Sequence, residues 1–100
     1  MSENLFNEIK RTLIEQNRSE EDIKQIEKAF LFAQKLHEGQ YRVSEEPYII
    51  HPVEVAKILI NLKVDTHTIM AAFLHDILED TDTKPEEIKE LFGDDVLTLV

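Results

Sequence analysis

Asp65-Thr66-His67-Thr68-Ile69-Met70-Ala71-Ala72-Phe73-Leu74-His75-Asp76-Ile77-Leu78-Glu79-Asp80 is the stretch that decides the fold. Asp65 suits an N-cap, because its side chain can accept a backbone N–H that the first helical turn leaves without a partner. Ile69, Ala72, Phe73 and Leu74 then follow at helical spacing, which predicts one helix running to about Asp80. Its end is polar. Residues three and four apart share a helical face, so His75 neighbours Glu79, and Asp76 neighbours both Glu79 and Asp80. Three carboxylates and an imidazole at one helix end repel without a cation. Mixed His and Asp donors suit Mn, Fe or Zn. Acidic residues at a helix end are commonly a solvated exit. In a last turn, however, each opposes the helix dipole at about 0.3 to 1 kcal/mol, so several together need compensation.

The flanking sequence is helical on both sides. Leu5, Phe6, Ile9, Leu13 and Ile14 predict a first amphipathic helix, broken by Asn17 and Arg18. Ser19 reads as the next N-cap, with Glu20, Glu21 and Asp22 in the first turn. Ile23, Ile26, Ala29, Phe30, Ala33 and Leu36 form the buried face of helix two, and Gly39 ends it. A loop follows over residues 40–50, with a short extended piece at Tyr48-Ile49-Ile50. Pro52 suits the first turn of helix three, His51 stands just before it, and Val55, Ile58, Leu59 and Leu62 carry the helix inward. Thr83-Lys84-Pro85-Glu86 has the pattern of a capping box opening helix five, which runs through Ile88 and Leu91 to Gly93. Asp94 or Asp95 starts a sixth helix. Val96, Leu97, Leu99 and Val100 give an apolar end with no cap, the expected mark of a fragment.

Composition agrees with a small all-α domain. The chain has 100 residues, 42% of them hydrophobic, with two glycines and three prolines. There is no cysteine, so His and carboxylates are the available metal ligands. A formal net charge of −10, with no basic stripe, argues against nucleic acid as a partner. It also repels phosphate esters, so an anionic substrate needs a local divalent cation. No apolar run spans a membrane and no secretion signal opens the chain, so a cytoplasmic protein is expected. Outside the acidic helix end, His51 is an ordinary loop residue when taken alone, although its ring could reach a neighbouring helix. His37 suits a helix C-terminus, and His67 reads as surface. In the loop, Arg42 offers a planar cationic fork for a phosphate or a base, and Ser44 offers a hydroxyl.

Together these segments resemble the N-terminal hydrolase domain of the Rel/Spo family of alarmone enzymes. The likeness lies in Ala33-Gln34-Lys35-Leu36-His37-Glu38-Gly39-Gln40-Tyr41-Arg42, in Pro47-Tyr48-Ile49-Ile50-His51-Pro52, and in Ala71 to Thr81 with its HDxxED pattern. It covers roughly residues 20 to 100, leaving residues 1–18 as an N-terminal helical extension before an HD core segment at 19–100. The resemblance implies an all-α HD-domain bundle of about six helices that removes the 3′-pyrophosphate of ppGpp or pppGpp in the stringent response. It implies that His51, His75 and Asp76 ligate one Mn²⁺, and that Glu79 and Asp80 orient or deprotonate the attacking water. Arg42 and Ser44 would hold the guanine nucleotide. The fourth ligand, an Asp, is expected beyond residue 100, with further domains after it, so this chain alone is expected to be inactive or feeble. Where the family loop reads Arg-Lys-Ser-Gly, this chain has Arg42-Val43-Ser44-Glu45, losing a cation and gaining an anion. An HD hydrolase for another nucleotide, or a non-catalytic regulatory HD module, are the alternatives.

Overall fold

The computed structural model describes residues 2–39, 49–75 and 77–100; the side chains of residues 2–5, 79 and 80 lie outside that description. Seven helices occur among the described residues: α1 (Ser2–Glu15), α2 (Glu20–Leu36), α3 (Ile50–Asn61), α4 (Thr66–Leu74), α5 (Ile77–Asp80), α6 (Pro85–Phe92) and α7 (Asp94–Leu99). No strand occurs among them. The all-α expectation holds; the stretch expected as one helix from Asp65 to Asp80 is described in two pieces, with His75 between them in α-region dihedrals and Asp76 outside the described residues. α4 ends at Leu74, His75 sits in a turn, and α5 resumes at Ile77.

α4 is the central element. It packs against α2, α3 and α7, while α1 packs on α2 and α3. Ile69, Met70, Ala71, Phe73 and Leu74 are all buried, so nearly the whole circumference of this short helix is covered. Phe30 of α2 meets Phe73 edge-on at 5.6 Å and Phe6 of α1 at 5.2 Å, within the range of favourable aromatic pairs. From α1, Ile9 and Leu13 complete this layer. On the far side Ile88 and Val96 close it from α6 and α7.

The helix ends show why the chain turns where it does. Ser19 Oγ accepts the Asp22 N–H at 3.0 Å, and Asp65 caps α4 through the Thr68 N–H, as their side chains suggest. After α1, Arg18 N–H bonds Leu13 O at 3.3 Å and Asn17 N–H bonds Ile14 O at 2.9 Å. After α3, Val64 N–H bonds Leu59 O at 3.3 Å and Lys63 N–H bonds Ile60 O at 2.9 Å. Both are Schellman turns, with Asn17 at φ 61° and Lys63 at φ 60° in the left-handed position. Arg18 joins the two turns. Its guanidinium donates to Val64 O at 2.7 Å, Thr66 Oγ1 at 3.2 Å and Gln16 Oε1 at 3.0 Å, while Gln16 Nε2 donates to Ile60 O at 2.8 Å. Gly93 ends α6 and opens α7 at φ 94° and ψ 167°, a region that side chains with a Cβ avoid.

Several expectations are corrected. Ile49 has α-region dihedrals and Ile50 is already helical, so the extended piece is absent at those two residues; Tyr48 lies outside the described residues. Burial of Ile49 in the core outweighs the strand preference of β-branched residues. The buried face of α3 is Pro52, Val53, Ala56 and Ile60, whereas Ile58 is 61% and Leu62 68% exposed. Apolar residues lie nearly all round this helix, so spacing could not choose its inner face. Ile14 is likewise exposed. Thr83 does not cap α6. Lys84 holds the N-cap position without a side-chain bond, and the Thr83 hydroxyl is turned to Thr81.

Phe30→Ala is expected to cost about 3 to 5 kcal/mol, and Leu62→Ala less than about 0.5 kcal/mol. Urea unfolding of the two variants measures both. Comparable losses would mean that α2 and α4 do not enclose Phe30 as described.

Candidate functional site

Two of the nominated ligands can be located in full. His51 is the second residue of α3, inside its first turn rather than before it, and is exposed. A proline two or three positions into a helix needs no N–H donor there, so Pro52 lets α3 start early and takes His51 with it. His75 follows the last residue of α4 and is also exposed. Each imidazole stands beside buried neighbours: Pro52 and Val53 after His51, and Leu74 before His75. The backbone is therefore anchored in the core where the rings face solvent.

The other nominated groups are placed incompletely. Arg42, Ser44 and Asp76 lie outside the described residues. Glu79 and Asp80 belong to α5, with their side chains outside the description. Among the described residues no three His, Cys, Asp or Glu side chains gather as a metal site. The nominated donor set, two imidazoles and one carboxylate, is chemically suited to a divalent transition ion. His37 is the C-cap of α2 and is buried, at 3% exposure, while His67 is exposed on the first turn of α4.

Sequence reasoning assigned nothing to Thr81, yet it fastens the end of α5. Its N–H and its hydroxyl both donate to Ile77 O, at 3.0 and 2.6 Å. The same hydroxyl oxygen accepts the Thr83 N–H at 3.2 Å, and the Thr83 hydroxyl lies 2.9 Å away. A Thr four residues after a helical carbonyl is the signal that was available for this bond. Arg18 was read as a helix breaker; its part in joining two turns depends on α3, distant in sequence. Those turns line a cleft of about 760 Å³ with Asp22, Asp65 and His67.

At the opposite end of α4 from His75, the Thr68 hydroxyl donates to Asp65 at 2.6 Å. This bond, opposed by partial desolvation and helped by the Thr68 N–H, the Asp65 N–H and the nearby His67, holds the Asp65 carboxyl below its ordinary value of 3.8.

The family described as "HD domain" matches residues 29–100. The bifunctional (p)ppGpp synthase/hydrolase SpoT of Escherichia coli (strain K12) is 49% identical over 88 residues, covering 88% of this chain and 12% of that protein. A guanosine-3′,5′-bis(diphosphate) 3′-pyrophosphohydrolase of Aquifex aeolicus is 55% identical over 76 residues, 76% of this chain and 11% of its own length. A GTP pyrophosphokinase of Myxococcus xanthus is 46% identical over 87 residues, 87% of this chain and 12% of that protein. The chain thus spans about 12% of the length of the curated relatives it matches. Among the described residues no helix is long and apolar enough to cross a membrane.

Asp65 sets a pH dependence. Its folded pKa is depressed, so its contribution to stability is present above the unfolded value, near pH 4, and is lost as pH falls through the folded value. Asp65→Asn keeps a capping oxygen but cannot titrate. The wild type should melt higher than Asp65→Asn at neutral pH, with the gap closing as pH falls below about 4 and through the depressed folded value. A gap independent of pH would contradict the role given to the ionised carboxylate.

Proposed function

Since the chain belongs to the HD domain family, we propose that it forms part of a metal-dependent hydrolase that converts ppGpp or pppGpp to GDP or GTP and pyrophosphate. The substrate is the one named for the Aquifex relative. The observation that supports the reading is that two packed helices, α3 and α4, each carry an exposed histidine at one end. α3 and α4 pack together with residues 62–65 between them. In an antiparallel pair of helices so connected, the start of the first lies toward the end of the second. His51 and His75 occupy those two ends.

His51, His75 and Asp76 would hold a divalent ion such as Mn²⁺. When bound, it offsets phosphate charge and lowers the pKa of a water molecule. Glu79 or Asp80 accepts a proton from the attacking water. The water oxygen bonds to the phosphorus carried on the ribose 3′ oxygen, and the bond between that phosphorus and the 3′ oxygen breaks. The 3′ oxygen leaves with a proton, and pyrophosphate is released. Arg42 pairs with phosphate or stacks on the base, and Ser44 donates a hydrogen bond. A net charge of −10 makes a cation at the site the simplest means of admitting a polyanion. No group on the chain need form a covalent intermediate.

Val43 and Glu45 favour a second reading, an HD hydrolase for a different nucleotide, because they leave the loop around Arg42 less cationic. Turnover of ppGpp, deoxynucleoside triphosphates and cyclic nucleotides by the full-length protein separates the two. Turnover only of substrates without a 3′-pyrophosphate would reject the alarmone reading. In the same protein, Glu79→Gln is expected to lower turnover by about 10²-fold or more while leaving metal content unchanged. His51→Ala and His75→Ala are expected to weaken Mn²⁺ binding by calorimetry. Unaltered Mn²⁺ binding in both histidine variants would favour a non-catalytic module.

A further inference from the structure

We propose that the Thr81 hydroxyl is a positioning group for the Glu79–Asp80 pair, holding their backbone in register between two buried anchors. The inference rests on the hydrolytic reading above. α5 has four residues, too few to be stable by helix propagation alone. Its geometry must come from its ends. At one end Ile77 is fully buried in the core, and at the other Thr83 is 8% exposed. Thr81 connects these anchors. One hydroxyl proton goes to Ile77 O at 2.6 Å, and the oxygen accepts Thr83 N–H at 3.2 Å. Because Thr81 has a single hydroxyl proton, the 2.9 Å contact with Thr83 Oγ1 is a bond donated by Thr83. Glu79 and Asp80 lie along the chain between the two residues that the Thr81–Ile77 bonds join. Thr81 touches no substrate in this scheme. It acts through the backbone that aims its two neighbours, where a displacement of about 1 Å can lower a rate 10²-fold.

The test compares Thr81→Val, which keeps the shape and removes the hydroxyl, with Thr81→Ser, which keeps the hydroxyl. Both are made in the full-length protein. In the Val variant kcat for ppGpp should fall about 10- to 100-fold, with KM changed less than about threefold because nucleotide binding is assigned to the loop around Arg42. Ser should restore most of kcat. Amide hydrogen exchange across residues 78–83, measured on metal-free protein, should speed up in Val and return toward wild type in Ser. Wild-type kcat in Thr81→Val, equal losses in Val and Ser, or unchanged exchange in Val would each overturn the positioning role. A wild-type protein that hydrolyses no ppGpp would instead overturn the hydrolytic reading. The exchange comparison tests the Thr81 contacts independently of that result.

Discussion

The burial of α4 constrains everything around it. A nine-residue helix wrapped by α2, α3 and α7 has almost no face left for polar side chains. Ile69, Met70, Phe73 and Leu74 are each at most 1% exposed. Unpaired polar groups in such a position would cost about 1 to 3 kcal/mol each. The polar residues of this segment are accordingly confined to its two ends, Asp65 to Thr68 before the apolar run and His75 onward after it. The same burial that builds the core delivers a histidine to the surface on a rigid support. Phe30, meeting both Phe6 and Phe73, ties this helix to α1 and α2.

A second constraint sits at the far end of the molecule. The turns after α1 and α3 have the same Schellman geometry and lie side by side. Arg18 donates to Val64 O just past α3, and Gln16 donates to Ile60 O in the last turn of α3. The Lys57–Glu8 ion pair also joins α1 to α3, at 3.3 Å, but both partners are exposed and it adds little. Registration of α1 against α3 is therefore set by the Arg18–Gln16 network and the core, and α3 carries His51 from this fixed end.

Much of this was legible where one residue decides a local outcome. Ser19 and Asp65 cap because a short side-chain oxygen reaches a free N–H, and Gly93 turns because it lacks a Cβ. Legibility failed where a partner remote in sequence decides. Nothing local in Val53, Ala56 and Ile60 distinguishes them from Val55, Ile58 and Leu59; only α4 and α1 select the buried set. Thr83 satisfied the local pattern for a cap, yet Thr81 claimed its hydroxyl. The candidate site is a nomination from residue types. Backbone anchoring and exposure of His51 and His75 needed the fold, and Arg42, Ser44 and Asp76 stand as sequence nominations outside the described residues.

The break after Leu74 changes the electrostatic reasoning about the acidic segment. In one continuous helix to Asp80, Glu79 and Asp80 would face the accumulated carbonyl dipoles of about four turns. In the folded chain they belong to a separate four-residue helix. Ile77 O, at its start, accepts both the N–H and the hydroxyl of Thr81, and a carbonyl with both lone pairs engaged presents less bare negative charge to a nearby carboxylate. Crowding among the carboxylates is a different matter, because like charges on adjacent residues repel whatever the helix does. Repulsion between the neighbouring acidic residues of this segment is independent of the dipole, and a divalent cation is the kind of group that would relieve it.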